Sequence, residues 1–409
     1  MKKISAIKLS YDNADRVKFQ LYAEFFRFLG IYVWEYCTSM ECFFGEGKLL
    51  ADDEDVIYYS VEPDSRNNPE MDFGRQETLL RILRNDVVMV GLDDDFLAAF
   101  DVLSEIFAGN NLFTAALTLQ YFRYNNEKTK EAGISFEKAA SEIDHKIKEK
   151  VYVDNRYMIY AKLYCLQKSN LSSVLCNQTL AVLESDLVRQ CLSLLKDHPD
   201  FSNVWTLIGM IYEKSNGKSR ELLAAFENAL QMTGDRPFVS SIYYWIGKRY
   251  ETLKLYDNAM ENAYRKAYKC APKYRVIYKM GIAMERLREW EKAVNYYDEC
   301  LRFLELKEKY LDLLELEYYF KTHIRAAFIL ITKQEKFGRG ILHIEQALRY
   351  REELEETLKT GDGYSEFARQ IYGGEYQDFV SLAFERMNPE RAYQYLSIAY
   401  SRLGVKKKL

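Results

Sequence analysis

Between residues 201 and 301 the apolar positions recur at helical spacing, break off, and begin again. One stretch reads Ile277, Tyr278, Met280, Gly281 and Met284, followed by Ala293, Tyr297 and Cys300. The stretch before it reads Tyr243, Ile246, Gly247, Tyr250, Ala259 and Ala263, closed by Pro272. Further back stand Trp205, Ile208, Gly209 and Tyr212, then Phe226, Ala229 and Pro237. The three glycines lie 38 and 34 residues apart. Such a period marks paired helices that stack on neighbouring copies to bury their faces. A glycine inside a helix costs about 1 kcal/mol against alanine. Three of them in matching contexts therefore predict a close crossing of two helices. The longer gap places extra residues near Ser215–Ser219 and at the end of the next helix.

Weaker copies flank this region. Ile324, Ala327, Phe328 and Ile331 fit a first helix, with Gly340, Ile344 and Ala347 on its second. Ala392, Leu396 and Ala399 fit the second helix of a last unit. Upstream, Tyr157, Ala161 and Tyr164 fit a first helix, and Val102, Ile106, Ala115 and Leu119 fit more loosely.

The pattern resembles the tetratricopeptide consensus, W-x2-L-G-x2-Y followed by A-x3-F, best over Phe201–Leu301 and more loosely over 95–403. The resemblance implies a tetratricopeptide-type α-α superhelix, with first helices lining a concave groove that holds a protein or peptide. Projected in that register, the groove contains Asn203, Thr206, Met210, Tyr244, Lys248, Glu251, Arg275, Tyr278, Ile282 and Glu285. Some tetratricopeptide proteins hold a chain-terminal carboxylate with lysine, arginine and asparagine. Here Thr206, Met210, Tyr278 and Ile282 occupy those places, so a chaperone C-terminus is not the expected ligand.

The first ninety residues read differently. Ile4–Leu9 alternates apolar and polar positions, and Ile31–Tyr36 and Val56–Val61 are β-branched and aromatic, so all three are strands. Asp15–Leu29 and Gln76–Leu83 have helical spacing, and Val87–Val90 reads as a short buried strand. Strands alternating with helices imply a small α/β layer with a parallel sheet. The expected fold is thus mainly α, with an α/β domain at 1–92 and a helical array at 95–409. The order of elements is similar to a Toll/interleukin-receptor (TIR) domain or a flavodoxin-like layer. The TIR resemblance implies NAD hydrolysis supported by Glu77. The flavodoxin resemblance places Asp12 and Asp15 at the ligand crevice. Plain helix capping by those aspartates and a solvated Glu77 account for the same residues more simply.

Composition narrows the chemistry. The net charge of −4 over 409 residues, without a basic stripe, argues against nucleic acid. The seven cysteines are scattered with no C-x-x-C pair, which suits reduced thiols in a cytoplasmic protein. No run reaches the roughly 18 apolar residues of a membrane span. The start of the chain lacks the apolar run of a signal peptide, and Lys406–Lys408 is too short to hold a membrane. His145, His198, His323 and His343 show no metal-ligand spacing, so no metal or cofactor is expected. Asp93–Asp95 precedes a helix and is best read as a cap, and Asp52–Asp55 as a solvated loop. Gly45-Glu46-Gly47-Lys48 lacks the spacing of a phosphate loop. A bacterial peptide-sensing regulator would need a helix-turn-helix, and the N-terminus carries none. The 33 tyrosines are the compositional outlier. They suit a binding surface, since tyrosine joins apolar area to a polar tip, and equally a plain replacement of the consensus aromatics that fills the outer surface. The expected function is a protein-interaction scaffold without a catalytic site. The alternative is a TIR-like signalling enzyme regulated by the repeats.

Overall fold

The structure, a computed structural model, describes residues 4–11, 32–37, 42–43, 56–61, 94–121, 126–149, 152, 154–175, 181–213, 218–233, 236–305, 313–360 and 376–405. The chain divides into two units, Met1–Ile242 and Tyr243–Leu409.

In the first unit, β1 (Ile4–Tyr11), β2 (Tyr32–Cys37), β3 (Cys42–Phe43) and β4 (Val56–Val61) form one sheet in the order β3-β2-β1-β4. β1 pairs in parallel with both β2 and β4, so that Ala6 stands opposite Tyr32 on one side and Tyr58 on the other. β3 runs antiparallel to β2, with Cys37 opposite Cys42. Two residues are too few to show alternation, which is why β3 leaves no trace in the hydrophobic pattern. The helices expected at 15–29 and 76–83, the strand at 87–90, and Asp12, Asp15 and Glu77 lie outside the described residues. So do the greater part of the insertion expected at 215–219 and the residues 234–235 ahead of the next helix.

Helices follow: α1 (Asp94–Gly109), α2 (Leu112–Tyr121), α3 (Asn126–Lys148), α4 (Arg156–Leu175), α5 (Ala181–Asp197), α6 (Ser202–Glu213) and α7 (Ser219–Met232). Asn155 starts α4, its Oδ1 accepting from the Tyr157 and Met158 amides at 3.1 Å each. Its Nδ2 donates to the Asp95 carbonyl at 2.6 Å, tying α4 to the start of α1. α3 and α4 make a long antiparallel hairpin, crossing where a Cβ on Gly133 would come 2.6 Å from Ser172 Cβ. Tyr157, Ala161 and Tyr164, expected on a first helix, therefore sit on the second helix of this hairpin. The reading from sequence misses the pairing because a serine, Ser172, takes the place an aromatic holds elsewhere. Its hydroxyl donates to the Thr129 carbonyl at 2.5 Å.

α8 (Arg236–Thr252) contains the boundary between the units. α9 begins at Tyr256–Asn258, passes through a π-helical turn at Ala259–Tyr264, and resumes over Arg265–Cys270. α10 (Tyr274–Arg286) pairs with α11 (Trp290–Glu305), and α12 (Leu313–Thr332) with α13 (Phe337–Thr360). α14 (Tyr376–Arg386) and α15 (Glu390–Arg402) follow. Ala392, Leu396 and Ala399 are buried, as the apolar spacing requires. The first helices end alike: Lys254, Arg288 and Glu335 take left-handed φ values of 60°, 63° and 53°. The next amide then reaches back six residues or five, as in Leu255 to the Tyr250 carbonyl and Glu289 to the Met284 carbonyl, both 2.9 Å.

The π-turn has a cause in the sequence. Ala293 and Tyr297 are four residues apart, as are Leu222 and Phe226, whereas Ala259 and Tyr264 are five apart. One extra residue inside a helix is absorbed as a π-turn. The period of 34 between Gly247 and Gly281 is kept.

Candidate interaction surface

The joint predicted from the glycines is a ring pressed against bare backbone. A Cβ on Gly281 would come 2.4 Å from Tyr297 Cε1, and one on Gly247 would come 2.4 Å from Tyr264 Cε1. In the first unit, a Cβ on Gly209 would come 2.5 Å from Phe226 Cε1. Every side chain larger than hydrogen would have to displace a buried ring.

Four residues beyond each glycine stands a glutamate: Glu213, Glu251 and Glu285. In the second unit these glutamates link each first helix to the next. Glu251 accepts from Lys279 Nζ of α10 at 2.7 Å. Glu285 accepts from Arg325 Nη1 of α12 at 3.1 and 3.0 Å, and from the Tyr297 hydroxyl at 2.8 Å. Arg325 Nε also donates to the Tyr278 hydroxyl at 2.9 Å. Glu317 of α12 pairs with Lys321 on its own helix and accepts from Arg386 of α14 at 3.2 Å. Charge-assisted bonds of this kind are about twice as strong as neutral ones, and their partial burial spares them from screening.

Tyrosines fill the space around these pairs. Tyr278 packs edge-on to Tyr318 at 4.9 Å, and Tyr274 edge-on to Tyr318 at 5.2 Å. Tyr244 lies 6.3 Å from Tyr264, as Tyr278 lies 5.9 Å from Tyr297 one repeat later. Burial pushes the Tyr278 hydroxyl up to about 12, against the pull of Arg325. Tyr297 and Tyr264 are raised first by burial and then by the charge of Glu285 and Glu251. All three hydroxyls stay protonated and able to donate.

Of the ten residues projected into a groove, seven are in the second unit. Tyr278 is buried; Tyr244, Lys248, Glu251, Arg275, Ile282 and Glu285 are half-buried along α8 and α10. Lys248 Nζ sits 4.1 Å from the Trp245 ring centroid. The other three are in the first unit. Asn203 and Thr206 are buried and Met210 is half-buried. Thr206 donates back to the Ser202 carbonyl at 3.0 Å, and Asn203 bonds the Tyr160 hydroxyl. Lys279, Tyr318, Arg325 and Arg386 were missed. Lys279 could have been found from its place one residue beyond Tyr278. Tyr318 and Arg325 lie on α12, whose greater length hides the register, and Arg386 lies on α14, which was not projected.

The histidines give a further departure. His323 of α12 and His343 of α13 meet Nδ1 to Nδ1 at 2.9 Å. No spacing within one helix foretells this, because the pair forms across a hairpin. His343 Nε2 lies 3.5 Å from Asp298 Oδ1, and Arg339 donates to Asp298 Oδ2 at 3.0 Å. Burial, and then the neighbouring His343, lower the pKa of His323 to about 3. Burial also lowers His343, against the charge of Asp298. Burial thus disfavours the charged form of both imidazoles, and which facing nitrogen donates depends on the tautomer. Among the described residues no group of three or more histidine, cysteine or acidic side chains is placed to hold a metal.

No family model matches the chain, and neither does any curated protein. Among solved structures it is similar to MamA, with 18% identity and a TM-score of 0.32 over 44% of this chain and 94% of that one. It is also similar to yeast Tom70, with 14% identity and a TM-score of 0.42 over 81% of this chain and 72% of that one. A third is the APC/C hetero-tetramer Cut9-Hcn1, with 12% identity and a TM-score of 0.32 over 79% and 62%. Within the chain itself, paired helices cross on a glycine-to-ring joint at Gly209, Gly247 and Gly281. Among the described residues no helix is long and apolar enough to cross a membrane.

Proposed function

We propose that the protein is an interaction scaffold whose second unit receives a protein or peptide on the face shared by α8, α10 and α12. The observation that carries this reading is the tie between consecutive first helices. Glu251–Lys279 and Glu285–Arg325 hold tyrosines and charged groups in one fixed row. A fixed row of aromatic and charged side chains lowers the entropy cost of association. The reading has the protein act in the cytoplasm, supported by the free thiols of Cys165, Cys191 and Cys300 buried in its core. It takes 1–92 and 95–409 as the functional division, with the repeats as the binding part.

The test compares capture of native-cell proteins by wild type, by a Lys248→Glu/Ile282→Asp double variant, and by Lys292→Glu on exposed α11. The reading expects proteins held by wild type and by Lys292→Glu to be lost from the double variant at unchanged melting temperature. Equal capture by all three would remove this face.

A second reading concerns the N-terminal strands. A first strand flanked by two parallel neighbours, β2-β1-β4, is an arrangement doubly wound layers share, and it favours an α/β domain of TIR or flavodoxin type over 1–92. Incubating the full chain with NAD tests its enzymatic form. Turnover abolished by Glu77→Ala would establish that form, and no turnover by wild type would dismiss it.

A further inference from the structure

Resting on the second unit's first-helix face as the partner surface, we propose that Arg275 is the seat for an acidic side chain of the partner. The carboxylate would lie on the guanidinium, inside a box formed by Tyr244, Tyr274 and Tyr318.

The observation behind this is a missing counter-charge. Lys279, Lys321, Arg325 and Arg386, on the same helices, each meet a glutamate. Arg275 does not. Its Nε donates to the Tyr274 hydroxyl at 3.0 Å, and its guanidinium carbon lies 5.7 Å from the Tyr274 ring centroid. Among the described residues no carboxylate pairs with it. The groups that act on it are the hydroxyls of Tyr274, Tyr318 and Tyr244. A cation drawn out of water without a partner is costly. Its retention beside four cations that each meet a glutamate points to a partner supplied from outside.

The surroundings select the ligand. The free edge of a guanidinium is a planar fork that matches a carboxylate or a phosphate. One unpaired positive charge balances one negative charge. A phosphate would bring a second, with no further cation among the groups that act on Arg275 to balance it. The tyrosine hydroxyls can donate to the carboxylate, since burial first of all holds the Tyr318 hydroxyl protonated. Tyr318 is also hydrogen-bonded to Tyr244. The Tyr274 and Tyr318 rings, packed edge to face with centroids 5.2 Å apart, offer apolar surface to a methylene stem. Recognition of a chain end would also require partners for the terminal N–H and C=O. Hydroxyls and ring faces fit the side chain of glutamate or aspartate better.

The experiment uses the full chain and fluorescently labelled hexapeptides, capped at both ends, of glutamate, glutamine or phosphoserine, followed by anisotropy. A glutamine hexapeptide with a free C-terminus is the fourth probe. Wild type is expected to bind the glutamate probe and neither glutamine probe. Arg275→Gln should weaken glutamate binding about tenfold or more, and Arg275→Lys should recover part of it. Arg275→Gln should melt no lower than wild type, because an unpaired charge has been removed; an arginine held for structure would lower the melting temperature by several degrees. Tyr318→Phe should weaken glutamate binding in a chain that keeps Arg275. Equal glutamate affinity of wild type and Arg275→Gln overturns the proposal. So does tighter binding of the phosphoserine or free-terminus probe, or a marked fall in melting temperature on Arg275→Gln. If Arg275→Gln still captures cellular partners that Lys248→Glu/Ile282→Asp loses, the seat is wrong and the surface stands.

Discussion

Gly209 with Phe226 in the first unit and Gly281 with Tyr297 in the second are the same joint made with different chemistry. In both, an aromatic ring fills the space a side chain on the glycine would need. In both, a glutamate follows four residues after the glycine. Phe226 has no hydroxyl, so its joint is steric alone. Tyr297 adds a 2.8 Å bond to Glu285, and Glu285 in turn holds Arg325 on the next first helix. The Tyr297 hydroxyl thus joins the packing contact within its repeat to an ion pair between repeats. The difference teaches that the glycine-to-ring fit makes the fold, while the hydroxyl and glutamate tie consecutive first helices together.

That comparison can be broken from its largest part downward. Phe226→Ala and Tyr297→Ala should each cost about 3–5 kcal/mol, because each empties a fully buried ring site. Urea unfolding with circular dichroism would measure both. Similar losses would show that the steric part is common to the two joints. Arg325→Ala should cost roughly 3 kcal/mol by leaving Glu285 without its cation, and pull-down after such a change should lose partners even where the chain stays folded.

Acid should weaken the second unit through His323. Its folded pKa, about 3, lies below the value near 6.5 of an unfolded histidine. Between those values the unfolded chain binds the extra proton, so stability is full above pH 6.5 and is lost as pH falls below it. From pH 6.5 to 5 the loss is about 2 kcal/mol. Melting temperatures across that range should show it in wild type and show a smaller fall in His323→Phe, where His343 remains. Tyr297→Phe, which copies the first unit's joint into the second, should cost about 1 kcal/mol. The same change in a Glu285→Gln background should cost less, and a thermal double-mutant cycle would report the coupling. Smallest, and of opposite sign, Arg288→Gly should stabilise by about 1 kcal/mol, because it relieves a left-handed φ of 63°. A higher melting temperature would confirm it.

The repeat core was legible because its signals are local. Gly247, Gly281, Ala259, Ala293 and the rings that cover them lie within one or two turns of their expected places. The strands at Ile4–Tyr11, Tyr32–Cys37 and Val56–Val61 were legible for the same reason, since alternation is written every second residue. What stayed hidden depends on pairing between distant segments. Ser172 does not announce that it will meet Gly133, nor His343 that it will meet His323. The role of Arg325 follows from Glu285, forty residues away. The ties between first helices involve residues projected on α8 and α10, where the period is kept, and residues outside that projection on α12, where a longer helix shifts it.

The π-turn at Ala259–Tyr264 shows how such an array can change length without changing its joints. The surplus residue is taken up in one widened turn, and beyond it Tyr264 and Ala267 face inward as Tyr297 and Cys300 do in the next repeat. A helix that can take up a residue in this way uncouples the count of amino acids from the geometry of the stack. Genetic drift in repeat length then leaves the ring seated on its glycine, and variation in this chain can accumulate between its contacts while the contacts themselves stay in phase.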